Sequence, residues 1–267
     1  AYLIGCDTGF GHRLAVRLNE HGFRVYATVI SESSAGAIEL PTKARFPDKM
    51  HVMAMDVTSN DQVYKVRDHI ERHLADHGEG DCLWAIVNNA GVITAGPIEW
   101  GADDVYKPVF EVNTFGVIRV TRIFLPLIRA SKGNRGRVVN IASMCGRMSP
   151  TNIGYYCMSK HAVVSFSDTL RREMRKFRVR VSTIEPTYFR TEMTDIQTNV
   201  DILCRTWADT RENIQQVYGE NYLAKLKQVV LKTFDIWHST RTKDVVVDDL
   251  IDAVHNAEPR VRYTPMH

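Results

Sequence analysis

The chain has 267 residues, 44% hydrophobic and 24% charged, with a formal net charge of +3. That length suits one α/β domain with a sizeable core, and the composition is far from that of disordered or fibrous chains. The small charge, with acids and bases mixed, argues against a nucleic-acid binder with a basic face, and five scattered cysteines without CxxC spacing indicate neither a disulfide framework nor a zinc knuckle.

The chain opens without Met on Ala1-Tyr2-Leu3-Ile4, which reads as a truncated first strand, so a preceding segment carrying any anchor or targeting peptide is expected. A helix follows over 10–20, with Leu14, Ala15 and Leu18 on its buried face, and then a strand over 24–30. Further strands are expected at 51–55, 84–88, 138–141 and 179–184, with helices between them. Phe166, Leu170 and Met174 mark the buried face of one of these helices. The alternation predicts an α/β fold: a doubly wound parallel sheet of Rossmann type, helices on both faces, in one domain over 1–267. No run of 18 apolar residues offers a membrane span.

Residues 191–232 read as a helical excursion with aromatic punctuation at Trp207, Tyr218 and Tyr222, placed to cover a pocket as a C-terminal lid. The aromatics themselves read first as packing. His69, His73 and His77 recur at helical spacing but lack a carboxylate or cysteine to complete a metal site, so a solvated face and no metal are expected. The basic stretch 171–180 reads as a solvated helix end, ahead of contact with an anionic membrane surface.

Three motifs carry chemistry. Gly5-Cys6-Asp7-Thr8-Gly9-Phe10-Gly11 lies between the first strand and first helix, where glycines permit a sharp turn and close approach of backbone to a pyrophosphate at the helix N-terminus. Asn88-Asn89-Ala90-Gly91 ends an apolar strand, with small residues that let backbone lie against a ligand. Tyr156-Cys157-Met158-Ser159-Lys160 places a phenol and an ammonium one helical turn apart, with Ser143 just beyond the strand over 138–141. A phenol acting as a base near neutrality needs its pKa lowered by roughly 3 units, or about 4 kcal/mol. A cation held at about 4 Å in an effective dielectric of about 20 supplies that order of energy.

This ordered set, with Asn113, resembles the short-chain dehydrogenase/reductase family over essentially the whole chain. The glycine turn, Glu185-Pro186-Thr187-Tyr188-Phe189-Arg190-Thr191 and the segment from Trp207 to Tyr218-Gly219 resemble the branch holding retinol dehydrogenases, 17β-hydroxysteroid dehydrogenases and D-3-hydroxybutyrate dehydrogenase. The resemblance implies that Tyr156 exchanges the hydroxyl proton and Ser143 holds the substrate oxygen. It implies that Lys160 binds the nicotinamide ribose and tunes Tyr156, and that Asn113 supports a water-linked proton path. Gly5, Asp7, Thr8, Gly9, Phe10, Gly11, Asp56, Val57, Asn89, Ala90, Gly91, Pro186 and Thr191 would line the cofactor, with Asp56 at the adenine. Two residues depart from the family pattern: Ile4 stands where Thr is usual and Thr187 where Gly is usual.

Cofactor choice is read at the end of the second strand. The lack of Arg there and the nearby Glu32 favour NAD, with NADP as the alternative. A small lipophilic alcohol, retinol or a hydroxysteroid, is expected near Ser143, Met144, Met148, Tyr188, Phe189 and Trp207. D-3-hydroxybutyrate is the alternative, its carboxylate held by Arg147 or Arg190. The branch further implies membrane association through a segment outside this chain, at the endoplasmic reticulum or else in the mitochondrion, and possible homo-oligomers. A non-catalytic dinucleotide-binding sensor is the distant alternative, disfavoured by the retained Ser, Tyr and Lys.

Overall fold

A computed structural model describes residues 1–76, 82–131, 135–237 and 242–265. Seven strands, β1 (Tyr2–Ile4), β2 (Val25–Val29), β3 (Met50–Ala54), β4 (Ala85–Asn88), β5 (Arg137–Ile141), β6 (Arg180–Ile184) and β7 (Arg262–Tyr263), form one sheet. Their order is β3-β2-β1-β4-β5-β6-β7, and every neighbouring pair is parallel. The chain winds from β1 out to β3, then restarts beside β1 with β4 and winds the other way. That reversal leaves a crevice beyond the carboxyl ends of β1 and β4, where open α/β sheets bind ligands.

Strands β1, β2, β4 and β5 are buried along their whole length, as expected of a parallel sheet covered on both faces. Their side chains alternate between two cores. Leu3 points to one core, built with helices α1 (Gly9–Glu20), α2 (Ala35–Lys43) and, late in the chain, α10 (Asp244–His255) through Leu14, Leu18, Leu40 and Leu250. Tyr2 and Ile4 point to the other, where α3 (Asn60–Asp76), α5 (Val117–Arg129) and α6 (Gly154–Met174) contribute Val63, Ile70, Phe124, Leu170 and Met174. Between the central strands Asn88 donates to Asn140 at 2.7 Å and to Thr121 at 3.0 Å, and Asn140 donates to Ser167 at 2.8 Å. This buried polar chain fixes β4, β5, α5 and α6 relative to one another beneath the crevice.

The short α4 (Lys107–Phe110) runs into α5 through six residues of π-helix, Glu111–Gly116. β7 is a two-residue strand that sequence patterning does not reveal; it exists by pairing Arg262 and Tyr263 with Thr183 and Ile184. The helical excursion contains α7 (Ile196–Ala208), α8 (Glu212–Tyr218) and α9 (Tyr222–Trp237), and so extends past 232. It has its own apolar cluster, in which Leu203 and Leu226 pack with Ala95 and Trp100. Among the described residues no helix is long and apolar enough to cross a membrane.

His73 is a hydrogen-bond partner of the Tyr26 hydroxyl at 2.8 Å, and His77 lies outside the described residues. Among the described residues no group of three or more His, Cys, Asp or Glu is gathered as a metal site.

Candidate active site

The first turn of the crevice is made by glycines for steric reasons that differ from one to the next. Gly5 and Gly9 have φ of +76° and +63°, a region side chains disfavour. A Cβ on Gly11 would stand 2.3 Å from the Gly5 carbonyl oxygen and 2.5 Å from Asn89 Nδ2. Gly11 therefore lets α1 press against the turn and does not itself line the crevice. Asn89 locks the arrangement by donating to the carbonyl oxygens of Gly5 at 2.6 Å and Ile4 at 3.2 Å. Thr8 makes no side-chain cap on α1, and no acid sits in its first turn. The amides at the start of α1 have no partner inside the helix and lie beside the crevice wall formed by Thr8, Gly9 and Phe10, so this end suits a phosphate.

The crevice has a volume of about 580 Å³. Asp7, Asp56, Val57, Ala90, Gly91, Pro186 and Thr191 all line it, together with Ser143, Tyr156 and Lys160. Asp7 also braces the end of β2, its carboxylate accepting from Ile30 N–H at 3.0 Å and from the Ser34 hydroxyl at 3.2 Å. Val29 and Ile30 line the crevice there, whereas Glu32 turns away to accept from Ala54 N–H at 3.1 Å. Asp56 accepts from Thr58 N–H at 2.8 Å, and Val57 is pressed by Gly116 of the π-helical turn, where a Cβ would come within 2.7 Å.

Ser143 follows β5 and caps the 3-10 turn Met144–Gly146, its hydroxyl accepting from Cys145 N–H at 3.1 Å. Tyr156 and Lys160 lie one turn apart near the start of α6, both buried. Lys160 Nζ donates to the Ile141 carbonyl at 2.9 Å and stands 5.6 Å from the centre of the Tyr156 ring. Burial pushes the Tyr156 phenol up, against the hydrogen bond with Ser143 that draws it down. Burial also draws Lys160 down to about 8. Asn113, fully buried in the π-helical turn, accepts from Val92 N–H at 2.8 Å and donates to Val92 O at 2.9 Å and Ser159 Oγ at 3.0 Å. Its side chain thereby joins the segment after β4 to α6.

A smaller chamber of about 50 Å³ adjoins Ser143 and Tyr156 and is lined by Ile93, Met144, Ile153, Tyr188 and Met193 among others. Tyr188 faces this chamber and not the main crevice. Met148 and Trp207 line neither space. Met148 is 47% exposed, and the Trp207 ring packs against Trp100, tilted to it with centroids 4.4 Å apart. Arg147 is committed to Glu185, with contacts of 3.0 and 2.9 Å. Phe189, expected near the substrate, lines the crevice, and so do Met193, Ile202 and Arg205, which sequence did not single out because none belongs to a motif. Both departures, Ile4 and Thr187, line the crevice, and Thr187 also ties the segment after β6 to Pro265 through its N–H at 3.3 Å.

The family sequence model described as short chain dehydrogenase matches residues 1–200. The chain belongs to this family. It is 34% identical over 266 residues to human 17-beta-hydroxysteroid dehydrogenase type 6, covering 98% of this chain and 79% of that protein. It is 38% identical over 269 residues to retinol dehydrogenase 16 of Mus musculus, with the same coverage. Within the short chain dehydrogenases it therefore falls in the branch of retinol and hydroxysteroid dehydrogenases, oxidoreductases acting on CH–OH groups. A solved short chain dehydrogenase/reductase from Burkholderia phymatum, in complex with NAD, shares the fold with a TM-score of 0.76 at 22% identity, covering 98% of this chain and 87% of that one.

Proposed function

We propose that the chain interconverts a lipophilic secondary or allylic alcohol, of the retinol or hydroxysteroid kind, and its carbonyl product, using NAD and Tyr156 as acid/base. The observation that carries this reading is the convergence of Ser143, Tyr156 and Lys160 on one wall of a crevice that begins at an uncapped helix N-terminus. The glycine turn and the small residues Ala90 and Gly91 leave room for a dinucleotide, and no Arg stands at Val29 or Ile30 to meet a 2′-phosphate. Bound NAD supplies the hydride acceptor.

The protein's part is placement and proton transfer. Ser143 holds the alcohol oxygen while Tyr156 takes its proton. With the ammonium 5.6 Å from the ring centre, its attraction for a phenolate is roughly 3 kcal/mol at an effective dielectric of about 20, or about 2 pKa units. That is less than the roughly 3 units required and must also offset burial, so Lys160 alone does not complete the activation, and the positive charge of a bound oxidised cofactor would supply the remainder. Asn113 acts in this reading by positioning α6, its amide being engaged by Val92 and Ser159.

The apolar chamber walls favour a lipophilic substrate, and the relatives named for retinol and hydroxysteroids support that class. The hydroxybutyrate alternative loses Arg147 as a carboxylate partner, because Glu185 already holds it. We read α7 to α9, with the turn that leads into them, as the substrate-side lid, since Met193 in that turn and Ile202 in α7 line the crevice. The test is NADH production from retinol, a 17β- or 3α-hydroxysteroid and D-3-hydroxybutyrate, with Tyr156→Phe as control. Turnover of a lipophilic alcohol that the substitution abolishes supports the reading. Preference for hydroxybutyrate overturns the substrate class, and silence with tight NAD binding replaces the enzyme by a sensor.

A further inference from the structure

The arginines of the basic stretch are not scattered around a helix end. The last turn of α6, the following turn and the start of β6 enclose a groove of about 650 Å³, lined by Arg135, Arg171, Arg172, Arg175, Arg178 and Arg180 and closed by segment 257–261. Six arginines against one glutamate, Glu258, give the lining a formal charge of +5, more than the +3 of the whole chain.

Few of these charges are neutralised locally. Glu258 is held by Arg180 at 2.7 Å, and Arg171 pairs at 2.9 Å with Asp168, which does not line the groove. Among the described residues no carboxylate lies within ion-pair distance of Arg135, Arg172, Arg175 or Arg178. Arg178 is held at φ +56°, a conformation side chains disfavour, at the bend that carries the chain into β6. Behind the groove the buried Arg137 guanidinium, stacked 4.8 Å over Trp84, is drawn below its usual pKa by burial and by repulsion from Arg180 and Arg135. The region is thus strongly positive at two depths.

We propose that this groove binds a ligand carrying two or more phosphate groups, with the guanidinium groups of Arg172, Arg175 and Arg178 taking the phosphate oxygens. Planar guanidinium groups present paired N–H donors that match phosphate oxygens, and a polyanion relieves the repulsion among them. The groove lies at the amino ends of β5 and β6, and the crevice lies beyond the carboxyl ends of the strands, so the two sites can be filled together. Such phosphates occur both in the headgroup of a phosphoinositide lipid and in soluble inositol phosphates.

The experiment uses the full chain at about 0.1 M salt, where screening leaves close charges effective. Co-sedimentation is measured with phosphatidylcholine vesicles with and without phosphatidylinositol 4,5-bisphosphate, and titration with inositol 1,4,5-trisphosphate. Two variants are compared with the parent: Arg172→Glu/Arg175→Glu, and Arg178→Gly, which removes a charge while relieving the backbone at that bend. Binding of either probe that falls at least tenfold in the double variant and measurably in Arg178→Gly, with dinucleotide binding unchanged, supports the site. Binding of vesicles alone assigns the phosphates to a lipid surface, and comparable binding of the soluble probe assigns them to a free ligand. No binding of either probe, or equal binding by parent and variants, overturns the proposal.

Discussion

Lys160 donates through Nζ to the carbonyl oxygen of Ile141 at 2.9 Å, so the helix that carries Tyr156 is tied to the strand that delivers Ser143. One buried ammonium therefore sets the relation between two groups that would share a substrate oxygen. Its cost is desolvation, which draws its pKa to about 8.

That shift makes stability depend on pH in a defined window. Between about 8 and the ordinary 10.5 the unfolded chain binds a proton that the folded chain has released. The contribution of Lys160 to stability therefore rises through that window, by at most about 1.4 kcal/mol per pH unit, and is flat below it, where both states are protonated. The unfolding free energy of the parent, measured against Lys160→Met, should gain steadily above about pH 8. A difference that stays flat would show that Lys160 titrates normally in the fold.

Tyr156→Phe removes the hydroxyl to which we assign the proton transfer, together with its hydrogen bond to Ser143. Turnover should drop by roughly 10²–10⁴-fold, the usual worth of a positioned acid/base. Dinucleotide affinity, followed by fluorescence titration, should stay within a few-fold of the parent. Residual turnover near the parental rate would assign the proton transfer to another group.

Gly11→Ala tests packing beneath the crevice. Because its Cβ would meet Gly5 O at 2.3 Å and Asn89 Nδ2 at 2.5 Å, the turn must shift. A stability loss of about 1–3 kcal/mol is expected, with weakened dinucleotide binding. Thermal unfolding and a binding titration read both; an unchanged affinity would separate the packing of Gly11 from the ligand wall.

Arg147→Ala strands the carboxylate of Glu185, which is 4% exposed. Thr183 still donates to it at 2.9 Å, Arg262 remains 3.7 Å away and the Arg147 side chain is 41% exposed, so the loss should fall below the ~3–5 kcal/mol seen when a fully buried pair loses a partner. Denaturant unfolding measures it. A variant that kept its stability but lost turnover of an acidic substrate would return Arg147 to the substrate site.

The strands were legible wherever apolar residues ran continuously between turn signals, as in Ala85-Ile86-Val87 or Val138-Val139. Such runs are what a sheet covered on both faces requires. β7 was not, because two residues have no period and Arg262-Tyr263 becomes a strand only against β6. The π-helical turn at Glu111–Gly116 had no sequence signature either. Its geometry depends on how Gly116 meets Val57, a contact between distant segments.

The site followed the same division. Gly5, Ser143, Tyr156 and Lys160 were readable because their spacing within motifs determines their geometry. Met148 and Trp207 were expected beside a lipophilic substrate, with packing the first reading for Trp207, and side-chain direction decides what they face. Met148 points to solvent and Trp207 to Trp100. Glu32 shows the same limit, since its carboxylate satisfies the Ala54 amide on the neighbouring strand.

A Cβ on Gly5 would stand only 2.8 Å from Ala90 Cα, so the turns after β1 and β4 already touch. They form a floor with no hinge between them, and Asn89 rivets it from the side. A ligand arriving on such a floor finds it preorganised and loses little conformational entropy there. Adjustment to ligands of different shape is therefore expected on the facing wall, where Thr191, Met193 and Ile202 line the same crevice.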